Sequence, residues 1–284
     1  MRKTVTVDTD NSGQRIDVFL SVTQPELSRS YWQKIIKQGC VRLNGAVVGV
    51  DSKISAGEVS IDFAEPIKVA VDIPVIYQDE NVIVLNKPSG ILTHSKGGIS
   101  NEFTVADFIA PISTDLESNR KGIVHRLDRA TSGLIICALN TESKKFLQKQ
   151  FSSRSVVKKY TAIVEGNIKE ESYDINWPIE RNPKKPQTFR VGSNGKPSRT
   201  IVNVIKANKD YTVTELSLLT GRTHQIRVHM SNLGHPVIGD SLYGSRIDLN
   251  GRILLHAGFL ELFIAKGLKK NFIAPYPEDM KKYL

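Results

Sequence analysis

The strongest constraint on how this chain folds is the run Leu134-Ile-Ile-Cys-Ala-Leu139, which follows directly on the charged segment His125-Arg126-Leu127-Asp128-Arg129-Ala-Thr131-Ser132-Gly133. A short, uninterrupted apolar run of this length reads as a buried strand. One carboxylate, Asp128, stands among arginines just ahead of it. Cations beside an acid keep it ionised, and a buried strand fixes its position, as a catalytic carboxylate requires. The same Arg-x-Asp pattern also describes a structural ion pair at the mouth of a β-turn, and the segment alone leaves both readings open.

Composition narrows the classes. With 284 residues and 40% hydrophobic content, the chain can build one large core or two unequal ones. No apolar stretch approaches the ~18–20 residues of a membrane span. Met-Arg-Lys-Thr-Val-Thr-Val-Asp has charge but no apolar core behind it, so neither a secretory signal nor a transit peptide is expected, and the location expected is cytoplasmic. Cys40 and Cys137 lie far apart and outside any Cys-x-x-Cys pair, which suggests reduced thiols and no structural zinc. His224 and His229 are the closest of the histidines, at a spacing wrong for one helical face, so no metal site is expected. The formal net charge is +10, and residues 1–66 carry eight basic and eight acidic residues, so the remainder holds the whole excess. A basic surface attracts a polyanion such as RNA, and it also simply keeps proteins soluble.

Residues 1–66 read as a small separate module, with 67–284 as a larger domain. Ile16, Phe19 and Leu20 have the spacing of a short helix; a second helix starts at the cap Ser28, buries Trp32, Ile35 and Ile36, and stops at Gly39. Two short strands flank Asn44-Gly45, and residues 57–63 give a third. Arg29, Lys34 and Lys37 on the second helix, with Arg42 beyond it, form a basic face with no acid between Glu26 and Asp51. Such a face is either solvated or in contact with RNA backbone. A linker over 64–72 follows. Strands are then expected at 82–85, 134–139, 160–164, 212–218 and 253–255, with helices near 104–110, 141–152 and 222–232. The alternation is irregular, which argues for an α+β domain with a mixed, largely antiparallel sheet rather than a doubly wound sheet or barrel.

The first module, through Gly13-Gln-Arg15-Ile-Asp-Val-Phe-Leu20, Ser28-Arg-Ser, residues 35–45 and Ala56-Gly57-Glu58, resembles an S4 RNA-binding domain. Four segments of the larger domain resemble the RluA/RluD-type pseudouridine synthases: Leu85-Asn-Lys87-Pro88-Ser-Gly90, His125-Arg126-Leu127-Asp128 with Thr131-Ser132-Gly133, Lys158-Lys159-Tyr160-Thr-Ala, and Gly221-Arg222-Thr-His224-Gln225-Ile-Arg227. Departures from the family pattern at Ala138-Leu139-Asn140 and around Lys266-Gly-Leu lie outside these motifs.

The resemblance implies an isomerase that converts uridine to pseudouridine in RNA, with large-subunit ribosomal RNA the expected substrate and tRNA the alternative. The rival is a non-catalytic RNA-binding or assembly factor; the retained Asp128, Tyr160, Arg126 and Arg222 argue against it. The reaction breaks N1–C1′, turns the uracil and forms C5–C1′, with no redox change, and needs neither cofactor nor metal. Cleavage builds positive charge on the sugar, which an ionised Asp128 stabilises as carboxylates do in glycosidases. Attack on C1′ and charge stabilisation with removal of a ribose proton both remain open. By resemblance Arg222 is the partner that keeps Asp128 charged, and Arg126 fills the gap left by the flipped uridine, unless it pairs with Asp128. Tyr160 is expected to stack on the flipped base and to carry a proton from C5. His224, Arg227 and His229 are expected to support the pocket or the RNA backbone. The chain is expected to work as a monomer.

Overall fold

In a computed structural model the described residues are 2–25, 27–62, 68–95, 102–114 and 121–284. The chain divides into two compact units, Met1–Ala70 with Ser95–Phe103, and Val71–His94 with Thr104–Leu284. The boundary expected between residues 66 and 67 lies outside the described residues, as do Glu26 and Pro66.

In the first unit β1 (Arg2–Val7) is followed by α1 (Ile16–Thr23), α2 (Arg29–Lys37), β2 (Val41–Leu43), β3 (Ala46–Val47) and β4 (Gly57–Asp62). The four strands form an antiparallel sheet in the order β1-β4-β2-β3. The Ser28 hydroxyl caps α2 by accepting from the Tyr31 N–H, and Gly39, at φ +73, ends it in a left-handed turn. Ile16, Phe19 and Leu20 pack with Trp32, Ile35 and Ile36 over Val41, Val59 and Ile61. Strand β1 is an addition to the sequence expectation, its alternating Val5 and Val7 completing this layer. One polar group lies inside: Asp17 is wholly buried and accepts from Arg15 Nε (3.0 Å), Arg15 Nη2 (3.2 Å), Arg29 Nε (3.0 Å) and Gln33 Nε2 (2.6 Å). Arg29 therefore departs from the free basic face expected of it, because a buried carboxylate without cations is costly. Lys34, Lys37 and Arg42 are exposed.

The second unit carries β5 (Val75–Gln78), β6 (Val82–Lys87), α3 (Val105–Ile109), β7 (Ser132–Ala138), α4 (Thr141–Ser153), β8 (Val157–Glu165), β9 (Ser172–Ile175), β10 (Ile179–Arg181), β11 (Phe189–Val191), β12 (Thr200–Ala207), β13 (Tyr211–Leu218), α5 (Gln225–Asn232), β14 (Leu255–Ala265), β15 (Leu268–Ile273) and α6 (Glu278–Lys281). Nine strands form one sheet in the order β5-β6-β7-β14-β8-β13-β12-β9, with β15 paired to β14, while β10 and β11 make a separate hairpin. All neighbours are antiparallel except β7 and β14. This is the mixed, largely antiparallel α+β architecture that the irregular alternation implies.

The apolar run opens the sheet on both faces. Ile135 and Cys137 join a core with Tyr160, Ala162, Leu216, Ile226 and Met230, whereas Leu134, Ile136 and Ala138 join a second core with Leu147, Leu260 and Leu262. Alternate residues of a strand point to opposite faces, so an unbroken apolar run is what a strand covered twice needs. Gly133 is obligatory where β7 meets β14: its φ is +112, and a Cβ there would lie 2.3 Å from the Ala257 carbonyl oxygen. Strands β5, β9 to β12 and β15 go beyond the sequence expectation, and β14 runs ten residues past the three expected.

Candidate active site

Asp128 sits on the loop leading into β7, in a turn closed by the Thr131 N–H donating to its carbonyl at 3.1 Å. That loop is held from behind. Lys87, fully buried at the end of β6, donates from Nζ to the carbonyls of Pro88 (2.9 Å), Ile91 (2.9 Å) and Arg129 (3.3 Å). Ser89 Oγ donates to the Ala130 carbonyl at 2.8 Å, and Thr93 Oγ1 bonds both the N–H and the carbonyl of buried Leu127. His125 is half-buried, accepts the Ile136 N–H at Nε2 (3.0 Å) and stacks on Phe151 at 4.5 Å. The Lys87-Pro-Ser-Gly90 and His125-Arg-Leu-Asp128 segments are thus two halves of one support. Burial pushes Lys87 down to about 7, against the pull of the Asp128 charge and with Arg252 and Arg129 adding to the fall. Burial likewise pushes His125 down to about 3, so its ring is neutral.

The carboxylate faces two groups from the α5 region. Arg227 Nη1 lies 3.7 Å from Oδ2, and His224 Nε2 lies 3.9 Å from Oδ1. Arg227 is itself locked by paired bonds to buried Asp240, Nε to Oδ2 at 2.6 Å and Nη2 to Oδ1 at 2.8 Å, with its guanidinium 4.8 Å from the Tyr243 ring centroid. Burial opposes its charge, but Asp240 and then Asp128 outweigh it and raise its pKa. Arg227 therefore stands where the sequence reading put Arg222. The helix begins at Gln225, so Arg222 lies in the preceding turn, where its Nε donates to the Pro197 carbonyl at 3.1 Å. There the Gln225 side chain accepts the Arg222 N–H and the Thr220 hydroxyl and ties the turn down.

Tyr160, on β8, is buried on the same core face as Leu216, its partner on β13. Burial, and then the Asp128 charge, raise its pKa, so it holds its proton. Asp128, Tyr160, Arg126, Arg222, His224 and Arg227 line one cavity of about 440 Å³. Asp128 is the one acid among its lining residues; Arg154 and Lys158 add to the cations. Arg126 is exposed at the cavity wall and makes no ion pair with Asp128 among the described residues. His229 is a core residue, bonded to Thr200 Oγ1 (2.9 Å) and the Trp177 carbonyl (3.0 Å). The roles of Arg227, Asp240 and Tyr243 had only a weak sequence signal: the Ile-Arg227 step places an arginine in the first turn of the helix, and Asp240 follows in Val-Ile-Gly239-Asp240. Among the described residues no group of three or more His, Cys, Asp or Glu is placed to hold a metal ion, and no helix is long and apolar enough to cross a membrane.

Residues 81–232 match the model of the RNA pseudouridylate synthase family, and residues 14–60 match the S4 domain. An uncharacterized RNA pseudouridine synthase of Bacillus subtilis is 38% identical, the match covering 99% of this chain and 96% of that protein. A ribosomal large subunit pseudouridine synthase D of Xylella fastidiosa is 35% identical over 98% of this chain and 90% of its own length. Among solved structures, human RNA pseudouridylate synthase domain containing 1 superposes with a TM-score of 0.59 at 28% identity, covering 74% of this chain and 87% of that one. A single acid held among arginines on a strand-rooted loop is thus found in a chain that belongs to the RNA pseudouridine synthase family, an isomerase with an S4 domain in its N-terminal part.

Proposed function

We propose that the chain isomerises specific uridines of large-subunit ribosomal RNA, with Asp128 as the carboxylate acting at C1′. The observation that carries this reading is the cavity in which Asp128 is the lone acid among Arg126, Arg154, Lys158, Arg222 and Arg227. A polyanion with one flipped nucleotide suits such a lining: the cations meet phosphate, and the acid meets the developing charge on the sugar. Arg227, facing Asp128 at 3.7 Å, orients the carboxylate, a place expected of Arg222, while Arg222 is left at the cavity wall for RNA. Arg126 fills the place of the flipped base. Tyr160 is the platform on which the uracil stacks, and its raised pKa favours the ring over the hydroxyl as the working part. The ribosomal substrate is inferred from the names of relatives such as the Xylella fastidiosa protein.

The division of labour proposed sets residues 1–66 to grip RNA through Lys34, Lys37 and Arg42, with a smaller part for Arg29, and 67–284 to carry the chemistry. The protein acts as a monomer in the cytoplasm without cofactor or metal. Mapping pseudouridines across cellular RNA tests this: sites in large-subunit ribosomal RNA vanish when the gene is deleted, return with the wild-type chain, and fail to return with Asp128→Asn. Loss confined to tRNA sites refutes the substrate; return of the sites with Asp128→Asn refutes the residue.

A further inference from the structure

Asp128 has a charged neighbour on one oxygen and a neutral one on the other. Arg227 is fixed by Asp240; His224, facing Oδ1 at 3.9 Å, is fixed by a different chain of bonds. The Phe189 N–H on β11 donates to Tyr243 Oη at 2.9 Å, and Tyr243 Oη lies 2.7 Å from His224 Nδ1. A backbone N–H only donates, so the hydroxyl accepts from it. The hydroxyl proton has no other acceptor among the described residues, so it goes to Nδ1. The one proton of a neutral imidazole then sits on Nε2, the nitrogen that faces Asp128.

The surroundings hold His224 in this state. Its backbone is left-handed, φ +56 and ψ 21, a disfavoured state for a residue with a Cβ, at the head of α5. Its ring meets Phe189 edge-on at 5.6 Å and Tyr243 at 5.5 Å. Four charged groups act on it: Asp128 and Arg126 from the loop before β7, Arg227 from α5, and Asp240 beyond it. Burial lowers its pKa most, Asp128 and Asp240 oppose the fall, and Arg227 and Arg126 add to it, so the ring is neutral at neutral pH.

We propose that His224 is a positioning residue that orients the Asp128 carboxylate through a neutral Nε2–H, in a tautomer set by Tyr243 and anchored on the β10–β11 hairpin. The proposal rests on Asp128 being the catalytic carboxylate. A neutral donor orients the acid and leaves its charge for C1′, whereas an imidazolium would neutralise it. The 3.9 Å gap is closed by a small rotation of the carboxylate when uridine enters, as catalytic contacts commonly tighten on binding.

Nitrogen-15 NMR of the histidine rings in the full chain, without RNA, is expected to show His224 protonated at Nε2 and bare at Nδ1, and Tyr243→Phe to give mixed tautomers. In turnover of target RNA, His224→Asn tolerates the left-handed backbone and keeps a partner for Tyr243 but has no atom at Nε2. It should lower kcat by about 10- to 100-fold with KM nearly unchanged, and His224→Gln, with an amide nitrogen near Nε2, should restore part of that. Tyr243→Phe should move the acid limb of the kcat profile to higher pH, since Nδ1 is then free to take a proton, and adding His224→Asn should abolish that shift. A wild-type Nδ1–H tautomer, or an acid limb that Tyr243→Phe leaves in place, overturns the proposal. The NMR readout needs no activity, so a chain that isomerises no uridine, which removes the Asp128 reading itself, is told apart from one that does so with His224 in the other tautomer.

Discussion

The two units each contain an Arg-x-Asp triplet, Arg15-Ile-Asp17 and Arg126-Leu-Asp128, and the two carboxylates are finished in opposite ways. Asp17 is wholly buried, with bonds of 2.6–3.2 Å from Arg15, Arg29 and Gln33 and a further ion pair between Arg15 and Asp51. Asp128 is 17% exposed at the side chain, has Arg227 and His224 at 3.7 and 3.9 Å, and accepts no side-chain hydrogen bond among the described residues. Arg126 turns to the surface where Arg15 turns to its acid. A carboxylate whose oxygens are filled by the protein joins two helices; one with charge-supporting neighbours just out of bonding range keeps its lone pairs for a substrate.

The largest effect should come from Asp128→Asn. Isomerisation is expected to fall by about a thousand-fold or more, since the charge that acts at C1′ is gone. RNA affinity should stay within a few-fold and the melting temperature nearly unchanged, because the carboxylate makes no bond on which the fold depends. A filter-binding titration and a thermal scan beside the activity assay read all three. Parallel losses of stability and activity would break the contrast with Asp17.

Asp17→Asn should do the reverse. Removing the charge leaves Arg15 and Arg29 around a neutral amide at the junction of α1 and α2, at a cost of about 3 kcal/mol, the scale for breaking a buried pair. Urea unfolding followed by tryptophan fluorescence in a Trp177→Phe background, where Trp32 is the sole reporter, measures it, while turnover per folded molecule at saturating RNA is preserved. Burial alone would raise the Asp17 pKa, but the bonds from Arg15, Gln33 and Arg29 prevail and hold it well below the usual carboxylate range. A group whose folded pKa is depressed contributes stability above its unfolded pKa and loses it as pH falls toward the folded one. The first unit should accordingly weaken as pH drops below about 4, and Asp17→Asn should flatten that dependence.

The contrast also marks what the sequence discloses. The triplets are alike in sequence, so Asp128 was legible through its context: the apolar run behind it, and three further motifs at family spacing. The core of α1 and α2 and the turn at Asn44-Gly45 were legible too, because capping, helical spacing and left-handed turn residues act within a few positions. What escaped depends on partners distant in sequence. Arg227 rather than Arg222 faces Asp128 because the helix starts three residues later than its motif, and only the fold brings Asp240 to hold it. Arg29 looked like part of a basic face until Asp17, twelve positions earlier, met it across two helices. The short strands β9 to β11 carry weak alternation and take their pairing from neighbours.

Tyr160 gives the next effect in size. Burial and the Asp128 charge raise its pKa together, so at neutral pH it is a phenol and a poor acceptor for the C5 proton. Tyr160→Phe should therefore keep most of the isomerisation, whereas Tyr160→Ala should lose the roughly 1–3 kcal/mol of a base–aromatic stack. Tritium release from 5-tritiated uridine, with 2-aminopurine fluorescence beside the target, separates proton removal from base flipping. A Phe variant that flips the base yet stalls before tritium release restores the hydroxyl as proton carrier.

The smallest effect concerns the first unit and asks which of its cations serve RNA. Lys34, Lys37 and Arg42 are exposed, and Arg42 donates to the Gly45 carbonyl at 3.2 Å and meets no acid among the described residues. Each cation that displaces a counterion contributes about 0.7–0.9 to the slope of log affinity against log salt. The Lys34→Ala/Lys37→Ala pair should lower that slope by about 1.5 and weaken binding a few-fold, with the melting temperature unchanged. Arg29→Ala is the counter-case: its Nε is committed to Asp17, so the loss should appear in unfolding more than in the salt slope. If Arg29→Ala flattens the slope as much as a lysine does, with no loss of stability, then its bond to Asp17 is incidental and the whole face works as one RNA grip.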